Sequence, residues 1–234
     1  MPINANAAVR ITAFNWVPDF AKGYVRDLRV RWALEEAGVP YSVRKLEAMS
    51  ERPADYFAEQ PWGQVPSYRD DQVQLFESGA IVLHIGRKFG HLLAANEPDR
   101  ARATAWVIAA LNSVEPFVSQ LPIIDIFHKG EAWTVERRPQ VIEMIEKRID
   151  RLADWLGDKE WLEDSFSAGD LLMVDVLRSL ENTDLLEQRP NLLAYMQRGT
   201  SRPAFQRAMD AQLADFEQRP TGAAQISTEE GEAA

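Results

Sequence analysis

The reading of the fold turns on residues 63–81, GQVPSYRDDQVQLFESGAI. A proline opens a short strand-like run, Asp70-Asp71 turns it, a second short strand follows, and Glu77-Ser78 opens an apolar helix. Each piece has an ordinary structural account. Pro66 is tolerated at the first position of a strand, and a serine ahead of an apolar helix is commonly an N-cap. A ligand would account for all of them together. A cis Val65–Pro66 bond, accessible to X-Pro sequences at about 0.5–1 kcal/mol, would leave the Val65 amide and carbonyl able to pair with an extended peptide. The free amides of the helix start favour a carboxylate. Ser78 can donate to that carboxylate, and Glu77 can accept from an adjacent ammonium. A carboxylate beside an ammonium is the α-amino acid end of a small molecule.

Working outward, residues 11–16 read as a buried strand and 24–38 as a helix, with Gly38 and Pro40 placed to stop it. Residues 41–46 alternate as a second strand, and a short helix around 53–59 precedes the hairpin. A helix then runs from Ser78 to about Phe89. The order β-α-β-α-β-β-α implies a small mixed sheet covered by helices. Beyond residue 96 the strand signals cease. A long helix starts near Pro98, with Pro116 expected to bend or end it. An apolar stripe from Ile142 to Leu156 follows, then a capping box at Ser167 and Asp170, then a last helix beginning near Ser201. The expected fold class is therefore α/β plus all-α. The expected boundaries are a mixed domain over 1–90, a linker over 91–96, an all-helical domain over 97–217 and an acidic, disordered tail over 218–234.

The absence of cysteine excludes disulfides, Cys-ligated zinc and attack by a protein thiol. The three histidines are too scattered to suggest a metal. A formal net charge of −10 argues against nucleic acid and anionic membrane surfaces as partners. Arg26, Arg29, Arg31 and Arg52 remain able to form a local positive pocket for a small anion. No apolar run approaches a bilayer-crossing length, and the N-terminus lacks the pattern of a signal peptide, so a cytoplasmic location is expected.

QPWGQVP (60–66) followed by ESGAI (77–81) resembles the glutathione-binding half of a glutathione transferase. RVRWALEEAGVPY is similar to that family's first helix and second strand, FSAGDLLMVDV to the capping-box helix of its second domain, and RPAFQRAM to its last helix. The resemblance implies a thioredoxin-like N-terminal domain, a helical-bundle C-terminal domain and a homodimer. It implies glutathione as co-substrate with no other cofactor. Val65 would bind the cysteinyl backbone, Glu77 and Ser78 the γ-glutamyl end, and Gln64 would lie beside the peptide. Arg52 occupies the place where some classes keep a lysine for the glycine carboxylate; a solvated loop arginine is the alternative.

The family's thiol-activating Ser, Cys or Tyr follows the first strand. Here that loop is VPDFAKGYVRD, with neither serine nor cysteine. Matching RVRWAL without gaps puts Tyr24 at the serine-type position. Tyr24 is the first catalytic candidate, Arg26 the second as a cation near the sulfur. An amphipathic helix-start residue and a surface ion pair are their respective alternatives. Phe20 and Trp106 are candidate walls for a hydrophobic electrophile between the domains, although such residues are more often core. Two functions follow. One is a transferase for detoxification, with peroxide reduction by bound glutathione as an accessory activity. The other is a non-catalytic glutathione or hydrophobic-ligand binder, or an interaction protein, that keeps the fold.

Overall fold

A computed structural model describes residues 3–216; the tail read over 218–234 lies outside the described residues. Four strands form one mixed sheet in the order β2-β1-β3-β4: β1 Val9–Phe14, β2 Tyr41–Leu46, β3 Ser67–Arg69 and β4 Gln74–Phe76. β1 and β2 are parallel, with Val9 opposite Tyr41 and Phe14 opposite Leu46, so the first strand sits two residues earlier than its hydrophobicity suggests. A parallel pair needs a crossover, and α1, Asp27–Ala37, provides it. Gly38 ends α1 at φ 64°, and the Val39 amide reaches back to the Leu34 carbonyl at 2.9 Å. β3 runs antiparallel to β1 and forms the hairpin with β4. The helix α2, Ser78–Phe89, then covers the sheet, with Ile81, Val82 and Ile85 fully buried.

The second domain is helical: α3 Glu97–Ala109, α4 Glu115–Val118, α5 Gln120–Pro122, α6 Ala132–Leu156, α7 Ala168–Arg178, α8 Pro190–Thr200 and α9 Pro203–Asp215. All eleven residues of α7 are buried, which makes it the centre of the bundle. The Ser167–Asp170 capping box is present, and Asp170 also accepts from the Leu162 amide and the Tyr195 hydroxyl.

Pro116 neither ends nor simply bends the long helix. The run continues through two wide turns, Ala110–Val114 and Ile123–Phe127, closed by bonds from Glu115 to Ala110 and from His128 to Ile123. Pro116 has no amide to donate, and its ring crowds the carbonyl four residues back. Widening the preceding turn is a way for a helix to absorb that conflict. The 31-residue stretch Glu97–Phe127 is also long and apolar enough to meet a bilayer-crossing criterion, which corrects the sequence reading that no such run exists. In this fold its Val107, Ala110, Val114 and Val118 are buried in the bundle.

Candidate functional site

Two cavities meet where the domains face each other. The smaller, about 280 Å³, is lined by Gln64, Val65, Pro66, Glu77 and Ser78 from the first domain and by Leu111, Asn112 and Glu115 from the second. The larger, about 620 Å³, has Phe14, Phe20 and Tyr24 on one side and Pro122, Ile123, Ile126 and Phe127 on the other. Arg26, Arg29, Gln64, Val65 and Glu115 line both, so the two spaces adjoin. The wide turns of the long helix supply the second-domain wall. The first carries Leu111 and Asn112 with Glu115 at its end, and the second carries Ile123, Ile126 and Phe127.

At the floor of the smaller cavity the Val65–Pro66 bond is cis. Val65 is buried, yet among the described residues neither its N–H nor its C=O has a hydrogen-bond partner. Buried main-chain groups are rarely left so. Beside them is the start of α2. Glu77, not Ser78, holds the N-cap position, and no side chain caps the helix. Glu77 adopts φ 68°, a left-handed conformation uncommon for a residue with a Cβ and frequent at binding sites. The Ser78 hydroxyl is buried and lies 3.4 Å from Nη1 of Arg29.

Charge is dense but balanced. Arg29 is buried and donates from Nε to Asp175 at 2.6 Å and from Nη2 to Glu115 at 3.0 Å. Arg26 donates twice to Glu115, at 3.0 and 2.8 Å, with half its side chain exposed. Burial pushes the Glu115 carboxyl up, but Arg29 and Arg26 outweigh it and hold its pKa below the ordinary value. These carboxylates escape sequence reading because their arginine partners lie 86 and 146 residues away.

The sequence candidates fall into three groups. Gln64, Val65, Pro66, Glu77 and Ser78 are brought together with Arg26 around the smaller cavity. Phe20 and Tyr24 line the larger one, and Phe20 meets Phe127 edge to face at 5.4 Å. The Tyr24 hydroxyl donates to Glu181 at 3.2 Å, and burial followed by that carboxylate raises its pKa. Arg52 also reaches the larger cavity, but it is no free loop cation. It donates to the carbonyls of Gly63, Glu47, Ser50 and Ala48, bracing the loop before the hairpin. Trp106 is misplaced by the sequence reading. It lines neither cavity; its indole donates to Glu163 at 2.8 Å and packs on Trp155, because that face of α3 turns into the bundle. Arg31 is likewise remote, paired with Asp27 and Asp215. Among the described residues no group of three or more His, Asp or Glu is arranged to hold a metal.

Fold and site define a two-domain protein of the thioredoxin-plus-helical-bundle class, with a polar site on the first domain opening into an apolar one between domains. Residues 14–87 match the model of the glutathione S-transferase N-terminal domain. A glutathione S-transferase of Hyoscyamus muticus is 28% identical over 196 residues, 78% of this chain and 92% of that protein. A serine-to-cysteine variant of poplar glutathione transferase F1 superposes with a TM-score of 0.77 at 21% identity, covering 88% of this chain and 98% of that one. A glutathione transferase from Burkholderia graminis, solved with two glutathione molecules bound per subunit, gives a TM-score of 0.75 at 21% identity, covering 88% of each chain. The chain therefore carries a glutathione S-transferase N-terminal domain over residues 14–87 and is similar to glutathione transferases along most of its length.

Proposed function

We propose that the protein is a catalytic glutathione transferase, with glutathione along the smaller cavity and a hydrophobic electrophile in the larger. The carrying observation is the meeting, in one cavity, of Val65's unpaired main-chain groups with the uncapped start of α2. The first suits the cysteinyl backbone, and the second, with Ser78, suits the γ-glutamyl carboxylate. Glu77 then takes the adjacent ammonium. The thiol falls towards the junction of the cavities, where Arg26 lies.

The energy required of that junction is modest. A free thiol near pKa 8.5 is a few per cent ionised at pH 7, and lowering it by about two units takes roughly 2.7 kcal/mol. One hydrogen bond to a charged group supplies about 1.5–3 kcal/mol. Arg26 is the better placed donor, since it faces both cavities, whereas Tyr24 faces only the larger and gives its proton to Glu181. We assign the thiolate to Arg26 ahead of Tyr24. Peroxide reduction by the same thiolate is an accessory activity. Exposed Met49, Phe57 and Trp62 on the first domain support a homodimer, and the setting we assign is cytoplasmic detoxification.

A glutathione titration across pH, following the thiolate's ultraviolet absorbance, tests the reading. Ionisation of bound glutathione below neutral pH supports it. Binding without ionisation leaves the non-catalytic binder as the better description. No binding overturns the assignment of the smaller cavity.

A further inference from the structure

The loop between β1 and α1 carries Phe20 and Tyr24 to the larger cavity and Arg26 to the junction of both. It belongs to the first domain by chain order, yet the second domain fixes it. Among the described residues, every hydrogen bond that residues 20–25 make beyond their own turns and the start of α1 ends on α7, just after it, or on α9. The Gly23 carbonyl accepts from Nη1 of Arg178 at 3.0 Å. The Tyr24 hydroxyl donates to Glu181, and the Val25 carbonyl accepts from Nε2 of Gln212 at 3.0 Å. Phe20 rests on Phe127. Towards the first domain, Val25 packs on the cluster of Leu46, Tyr56 and Val65.

Arg178, the last residue of α7, is the centre of this hold, and its side chain is only 6% exposed. Nη1 also pairs with Asp175 at 3.2 Å, and Nε faces Glu181 at 3.4 Å. The guanidinium lies 5.0 Å from the centre of the Tyr24 ring and 5.0 Å from that of Phe205, a favourable cation–π placement. Gly23 permits the close approach. Its φ is 82°, and a Cβ there would lie 3.2 Å from the sulfur of Met209 and 3.7 Å from Nη2 of Arg178. A second route leads from Arg178 to the same place. Asp175 accepts Arg178 on one oxygen and Arg29 on the other, Arg29 donates to Glu115, and Glu115 accepts from Arg26. Arg178 is thus joined to Arg26 along the main chain from Gly23 and through a line of charged side chains.

We propose that Arg178 is a positioning residue for thiol activation: by holding the Gly23 carbonyl and the Tyr24 ring, it sets where Arg26 stands beside the sulfur. It touches no substrate itself, since it lines neither cavity. A guanidinium suits the task because its planar fork serves a carbonyl and a carboxylate together while its face lies on a ring. A lysine has one compact ammonium and cannot do all three. Arg178 has this role only if the transferase reading holds, with Arg26 at the thiolate. Wild-type protein is therefore titrated first with glutathione across pH, following the thiolate absorbance. If glutathione fails to bind, or binds without ionising, the transferase reading falls and the role of Arg178 with it. If Arg26→Ala leaves the thiol pKa unchanged, the role of Arg178 falls while the glutathione site stands.

With ionisation established, two substitutions test Arg178. Arg178→Met removes the bonds and the charge, and Arg178→Lys keeps a charge beside Asp175 and Glu181 but loses the fork. Each should raise the pKa of bound glutathione by about half a unit or more, roughly a threefold fall in the ratio of thiolate to thiol. S-methylglutathione keeps the peptide but has no thiol to ionise, so its affinity should change by less than about twofold. An arginine that merely braced the domains would lower Tm and loosen both ligands without moving the thiol pKa. In an Arg26→Ala background the substitutions at Arg178 should add little, because residues that act through one another are not additive. If Arg178→Met does not fold, Arg178→Lys carries the test alone. An unchanged thiol pKa in the folded variant, or the same shift with and without Arg26, would overturn the proposal while leaving glutathione binding intact.

Discussion

At the scale of single residues, the site separates what is local from what is not. Val65-Pro66 and Glu77-Ser78 are legible in the sequence because their chemistry belongs to a strand start and a helix start a few residues apart. Ser78→Ala should weaken glutathione about tenfold to a hundredfold, the range of a hydrogen bond to a charged group, with little change in Tm. Unchanged affinity by titration would remove the γ-glutamyl end from this helix start. Tyr24 and Arg26 are legible as residues but not as roles, because Glu181 and Glu115 decide where their donors point. Arg26→Ala should therefore raise the pKa of bound glutathione, while Tyr24→Phe should leave it nearly unchanged. Arg26 itself is half exposed, and Arg29 still pairs with Glu115 in its absence, so the loss of Arg26 should cost the fold little. The reverse order of effects, read from the thiolate absorbance, would restore Tyr24 as the activating group.

At the scale of elements, hydrophobic period and stop signals place α1, α2 and the hairpin closely, since Gly38 and Gly90 end the two helices with φ of 64° and 73°. The wide turns after Ala109 were not legible. A proline announces a disturbed helix, but whether the helix ends, bends or widens depends on what packs against it. Here α2 packs close by: a Cβ on Gly79 would lie 2.5 Å from the tip of Leu111 in the first wide turn. That contact couples the helix start to the cavity wall. Gly79→Ala should push the Leu111 side chain, which can swing, towards the smaller cavity. The expected result is a severalfold loss of glutathione affinity with only a small fall in Tm. A large fall in Tm with unchanged affinity would mean that the backbones, rather than Leu111, take up the strain.

At the scale of the whole molecule, the domains are joined by charge as well as by apolar packing. Asp175 and Glu115 of the helical domain close on Arg29 of α1, and Arg26 closes on Glu115 from the rim. Breaking one member of such a buried set leaves the others uncompensated, which costs more than the set contributes when whole. The pH dependence follows from the sign of the Glu115 shift. Its folded pKa lies below the unfolded value of about 4.5. The stabilisation is therefore complete above that value and is lost as pH falls through the lower, folded one. Protonating Glu115 would leave Arg26 without its carboxylate and Arg29 with Asp175 alone, so acid should loosen the wall shared by both cavities. Thermal unfolding of the wild type and of Glu115→Gln, followed between pH 6 and pH 3, isolates this term. The variant should start less stable near neutral pH and lose less on acidification, so that the two curves converge at the acid end. Parallel curves would show that Glu115 titrates alike in the folded and unfolded chain, and that Asp175 alone carries the ionic hold of the helical domain on Arg29.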